Sequence, residues 1–154
     1  MASQPTNQAP LFLILHFFLA YVVLSTRPAK NYLKLDHNVN PRNDLTKYGQ
    51  KAVTEGKLTQ RQLNFLQRNE ACHANSTEHY PVFAAAVLFA TVASVDVAQI
   101  NYMCAVYTAS RAVYAIAYLA FESIGLSYIR SLAWWASNIS CLNLLWAAGK
   151  ALNS

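Results

Sequence analysis

Charge is scarce in this chain. Only 12% of its 154 residues are Asp, Glu, Lys or Arg, about half the usual share. Glycine and proline are also few, four and five, so long helices are expected. Three cysteines, at 72, 104 and 141, are too few and too widely spaced for a disulfide framework or a metal site. They read as small apolar packing residues. The opening MASQPTNQA has no Lys or Arg. No small-x-small site cleanly follows the apolar run behind it, which favours a retained transmembrane helix over a cleaved signal peptide. A Ser-His-Asp arrangement, a Gly-rich phosphate loop and a nucleophile elbow are all missing. His73 and His79, six apart, have no thiolate or carboxylate partners at ligand spacing, so no metal cage is expected. No RNA- or DNA-binding motif accompanies the positive charge, so nucleic acid is not an expected partner.

Apolar residues are plentiful, at 55% of the chain. They fall into four hydrophobic helices, expected at about 10–26, 60–95, 97–121 and 128–152, within a single domain, 1–154. Thr59 and Gln62 fit a capping box at the start of the second helix, and Asp96 with Gln99 resembles another at the third. Pro81 should kink the second helix just after Glu78. Gly125 and Ser127 are read as the break before the fourth. The fold class is therefore all-α, an integral-membrane four-helix bundle with antiparallel neighbours.

The positive charge is concentrated. Nine of the twelve Lys and Arg lie from Arg27 to Arg68, which puts the long 27–59 loop in the cytoplasm against anionic membrane lipid. That loop exceeds ordinary loop lengths, so it is expected to be functional or partly helical.

The stretch 68–81, RNEACHANSTEHYP, runs directly into apolar VFAAAVLFATVASV. Helical spacing puts Arg68, Asn75 and Glu78 on one side. Ionisable groups at membrane depth are costly and usually face a site. On the third helix Tyr107, Arg111, Tyr114 and Tyr118 share one stripe. An unpaired Arg111 would cost at least ~2.5 kcal/mol, and Glu78 is its expected partner, in a pair equally readable as purely structural. Arg130 opens the fourth helix, either as an interfacial cation or as a guanidinium in a pocket. Arg68, His73, Asn75, Glu78, Arg111, Tyr114, Tyr118 and Arg130 together make a donor-rich cationic cleft. It suits a small, multiply anionic ligand and could lower a thiol pKa.

These residues resemble a known family. An Arg followed by Asn-x-x-Glu and a Pro (Arg68, Asn75, Glu78, Pro81), with RAVYAIAYL, IRSLAWW and Asn40-Pro41-Arg42, is similar to the MAPEG superfamily over about residues 40–150. The short bacterial and fungal members look most alike. The resemblance implies a homotrimer that holds glutathione between neighbouring subunits near the cytoplasmic face. Arg68, His73, Asn75, Glu78, Arg111, Tyr114 and Tyr118 would bind or support it. Arg130 would stabilise the thiolate, with Ser131 beside it. The function implied is a glutathione-dependent membrane transferase or isomerase acting on a lipophilic electrophile. Alternatives are a glutathione-independent isomerase or cyclase of the same fold in a lipid or secondary-metabolite pathway, and a non-catalytic lipid-binding protein. The location implied is the endoplasmic reticulum membrane in a eukaryote or the inner membrane in a bacterium. One departure stands out: the family's second Arg is Ala71 here.

Overall fold

The computed structural model describes residues 5–153, so residues 1–4 and 154 of the expected domain lie outside the described part. All its regular structure is helical among those residues. Helix α1, Ala9–Phe18, continues as a wide π-turn, Leu19–Val23. A short α2, Arg27–Tyr32, a 3₁₀ turn, Pro41–Asn43, a π-turn, Asp44–Tyr48, and α3, Gly49–Thr54, follow. Three long helices complete the chain: α4, Gln60–Val92, α5, Val97–Ala120, and α6, Ile124–Ala151.

Side-chain caps set the starts of the long helices. The Gln62 backbone N–H donates to Thr59 Oγ1 at 3.2 Å, and the Thr59 N–H donates to Gln62 Oε1 at 2.8 Å, the expected reciprocal box. At α5 only half of the expected box forms. Asp96 accepts from the Gln99 N–H, but the Gln99 amide turns away and donates to Asn143 of α6. Helix α6 begins a turn earlier than its expected start at 128. Ser123 caps it through the Leu126 N–H, leaving Gly125 and Ser127 inside the first turn. A glycine costs least there, because the first N–H groups lack helical partners in any case.

The buried face of α4 runs through Leu63, Leu66, Asn69, Cys72, Ser76, His79, Phe83, Val87 and Ala90, at steps of three and four, and continues across Pro81. Helix α5 packs along α6, α4 lies against both, and α1 crosses α4 and α5. Small residues at these seams, among them Ala86, Cys104, Cys141, Ala147 and Ala148, allow close approach. The three cysteines are free and buried, as expected.

The 27–59 segment is partly helical and carries its own small core of Leu35, Leu45, Ala52 and Leu58 against Leu63 and Leu66. A fully buried Asp44 organises it. Lys30 Nζ stands 3.0 Å from Asp44 Oδ2 and donates to the Pro41 carbonyl at 2.7 Å. The His37 backbone N–H donates to Asp44 Oδ1 at 3.1 Å, and His37 Nδ1 lies 3.0 Å from the same oxygen. Burial works against the Asp44 carboxylate, but Lys30 and His37 outweigh it and hold the carboxyl below its usual range.

Two segments, Ala9–Tyr32 and Val97–Ala120, are long and apolar enough to cross a membrane. Leu11, Phe18, Val92, Ile116, Leu132 and Trp146 point outward and are exposed. Apolar surface on this scale suits lipid contact.

Candidate functional site

Tyr107, Arg111 and Tyr114 face inward on α5, and all three are buried. Tyr118, half-buried, ends the stripe one turn later. The Arg111 guanidinium carbon stands 4.3 Å from the Tyr114 ring centre. Tyr114 and Tyr118 meet edge to face at 5.5 Å. The Arg130 guanidinium carbon then lies 4.3 Å over the Tyr118 ring. Two tyrosines flanked by two cations thus form one column, with cation–π contacts at both ends. Arg130 is half-buried, and it lines a pocket of about 200 Å³ with Ser131, Tyr114, Trp134 and Trp135.

Arg111 does not pair with Glu78. Its Nη1 donates to Asn75 Oδ1 at 3.1 Å and its Nη2 to Ser76 Oγ at 2.9 Å. The reason is angular. Ser76 lies on the buried face of α4 and Asn75 at its edge, whereas Glu78, about 60° further round, is exposed. Ser76 was not among the expected site residues. Its one sequence signal is a position beside Asn75, four residues after Cys72, whose carbonyl it also bonds.

The residues expected on one wall of a cleft divide three ways. Arg68 reaches Glu122 of the α5–α6 turn at 2.9 Å and lines a groove of about 500 Å³ with Arg61, Gln62 and Phe65. Asn75 turns inward to Arg111. His73 and Glu78 face a third space of about 770 Å³, lined also by Arg27, Lys30, Arg42 and Glu70. His73 Nδ1 lies 2.9 Å from the Ala20 carbonyl, and Asn69 donates to the Leu24 carbonyl at 2.9 Å. These two α4 side chains meet carbonyls of the π-turn and of the residue that follows it, which fixes one rim of that groove.

Sequence reasoning missed a second polar layer, deeper between the helices. His79 Nδ1 lies 3.0 Å from the Tyr107 hydroxyl, and His16 Nε2 lies 2.9 Å from Thr108 Oγ1. His16 packs edge-on against both Tyr107 and Phe83. The signal available was a histidine within an uncharged membrane run. A single apolar segment carries no information about which helix will face it.

Within the chain, then, the structure brings together Asn75 of α4 with Arg111, Tyr114, Tyr118, Arg130 and Ser131 of α5 and α6. It keeps His73 and Glu78 in the basic groove beside α2, and Arg68 in a third place. A family model for the MAPEG family matches residues 9–150 of the chain. Comparison with curated proteins and with solved structures returned no match.

Proposed function

The chain belongs to the MAPEG family, and from that premise we propose that it is a glutathione-dependent membrane enzyme, a transferase or isomerase for a lipophilic electrophile. The observation that carries this reading is the Arg130 guanidinium, held over the Tyr118 ring at the edge of a half-open pocket with Tyr114 and Ser131. A fixed cation beside a thiol favours its thiolate, and the thiolate is the nucleophile that glutathione supplies.

The charges suit the tripeptide, which bears two carboxylates and one ammonium. The groove beside α2 offers Arg42 for a carboxylate, with Arg27 beside it in an ion pair with Asp36, and Glu70 and Glu78 for the ammonium. Lys30 is already engaged by Asp44. In this proposal His73 and Glu78 of one subunit bind the backbone of glutathione, and the Tyr114–Tyr118–Arg130 wall of a neighbour receives its thiol. The complete site then requires a homotrimer of four-helix units, with the basic groove at the cytoplasmic surface. The two half-sites share no lining residue in the protomer, which is why assembly is part of the proposal. Arg111 and Asn75 support Tyr114 from behind. Arg68, paired with Glu122, steadies the α5–α6 turn that leads to Arg130. The apolar outer surface brings the second substrate from the bilayer.

The test is direct. Purified protein mixed with glutathione should show thiolate absorbance, and with a lipophilic electrophile it should yield an adduct or an isomer. Absence of both at millimolar glutathione sinks the reading. One observation favours a second reading. Ala71 stands, exposed, on α4 where the family carries a second Arg, which suits an isomerase or cyclase that works without glutathione. Turnover that persists after complete removal of glutathione would establish that alternative.

A further inference from the structure

Arg111 retains only 6% of its surface exposure, and a guanidinium stays charged in every protein environment. Its acceptors, Asn75 and Ser76, are neutral, and so is the Tyr114 ring beneath it. Among the described residues no Asp or Glu lies within ion-pair distance of it. A buried charge with no counter-charge is an expensive arrangement, most of all within a segment of membrane-spanning length. Two of its five N–H donors are used by the protein.

The guanidinium lines a cavity of about 90 Å³ between α1, α4 and α5. His16, Ser76, Tyr80 and Tyr107 supply the other polar side chains of its lining, and Ala112 and Ala115 are among the apolar ones. A water requires roughly 10–15 Å³ of such space, so the cavity accommodates a small anion together with a few waters and excludes a tripeptide. It shares no residue with the Arg130 pocket or with the basic groove.

We propose that this cavity is a binding site for a small monovalent anion, a halide or a carboxylate the size of formate, which serves as the counter-ion of Arg111. The anion neutralises the buried guanidinium where α1, α4 and α5 meet. Stability of the protein therefore depends on the anion present, whether or not glutathione is bound.

The experiment uses the full chain in detergent without glutathione. Unfolding midpoints are measured as sodium gluconate, too large for the cavity, is replaced by bromide or by formate at constant ionic strength. The expected result is a saturable rise in midpoint, as linkage requires for a ligand of the folded state. The bromide and formate arms identify which of the two anions the site prefers. The rise should vanish in Arg111→Gln. It should also vanish in Ala115→Leu, which fills the cavity and keeps the guanidinium, so the test stands even if Arg111→Gln does not fold. Crystals grown in bromide should show an anomalous peak beside Arg111. A midpoint indifferent to both anions overturns the proposal. So does an equal response in Ala115→Leu, or a structure in which water alone or a carboxylate of a second copy of the chain faces Arg111.

Discussion

The Arg130 guanidinium carbon lies 4.3 Å from the centre of the Tyr118 ring, joining the second turn of α6 to the last turn of α5. Between these residues the chain reverses direction through 121–123, with Ser123 capping the new helix. The contact fixes the direction of a cation that would otherwise sweep the pocket on a flexible stem. Cation–π attraction of this kind contributes about 0.5–2 kcal/mol.

That contact separates the ring of Tyr118 from its hydroxyl. Tyr118→Leu should lower kcat/KM for glutathione about 2- to 30-fold, the factor equivalent to the cation–π attraction. Tyr118→Phe keeps the ring and should retain more activity than Tyr118→Leu. Arg130→Ala removes the cation that favours the thiolate. The pKa of bound thiol should then rise by about one to three units, and the acid limb of the pH–rate profile should move up with it. A profile unchanged in Arg130→Ala would assign the thiolate to another group.

Arg111 gives a contrast between neighbours on α4. Ser76→Ala and Asn75→Ala each leave a buried guanidinium donor unpaired and should destabilise the protein by about 1–3 kcal/mol. Glu78→Gln should leave stability nearly unchanged, since Glu78 is exposed and does not touch Arg111, while weakening glutathione binding. Unfolding in detergent beside calorimetric titration with glutathione distinguishes the two patterns. A large stability loss in Glu78→Gln would restore the ion pair that the structure does not contain.

Acid should loosen the 27–58 segment. The carboxyl of Asp44 lies below its usual range in the folded protein. Its contribution is therefore complete above the unfolded value, near ~3.9, and is lost as pH falls through the folded value. Limited proteolysis across a pH series should show this segment becoming sensitive in that acid window. Asp44→Asn leaves Lys30 buried without a counter-charge, a change worth about 3–5 kcal/mol, so the variant should be cleaved already at neutral pH and show little further response to acid.

Ala71→Arg restores the family's second cation at an exposed position of α4. A charge-assisted hydrogen bond is worth about 1.5–3 kcal/mol, so the KM for glutathione should fall about tenfold or more. No change in KM would favour the glutathione-independent reading.

Much of the fold was legible because it rests on local rules. The Thr59–Gln62 box and the Asp96 cap lie within four residues of the helices they start, and the apolar runs set helix lengths. The early start of α6 was hidden because Gly125 reads as a breaker until Ser123 is seen capping the turn around it. The inner structure of 27–59 was hidden for a different reason. Its core depends on Asp44 meeting Lys30 across fourteen positions, and an acid and a base that far apart carry no spacing signal.

By itself the sequence determined the helical class, the membrane-length apolar segments, the concentration of basic charge before α4 and the stripe from Tyr107 to Tyr118. These follow from composition and from the 3.6-residue period, which any window of the chain displays. Which polar groups meet was decided only by tertiary structure. Helix rotation and crossing chose Asn75 and Ser76 over Glu78 for Arg111, and set Arg130 on Tyr118. A rotation of about 60° around α4 separates Asn75, at the edge of the buried face, from the exposed Glu78, and no local pattern fixes that angle.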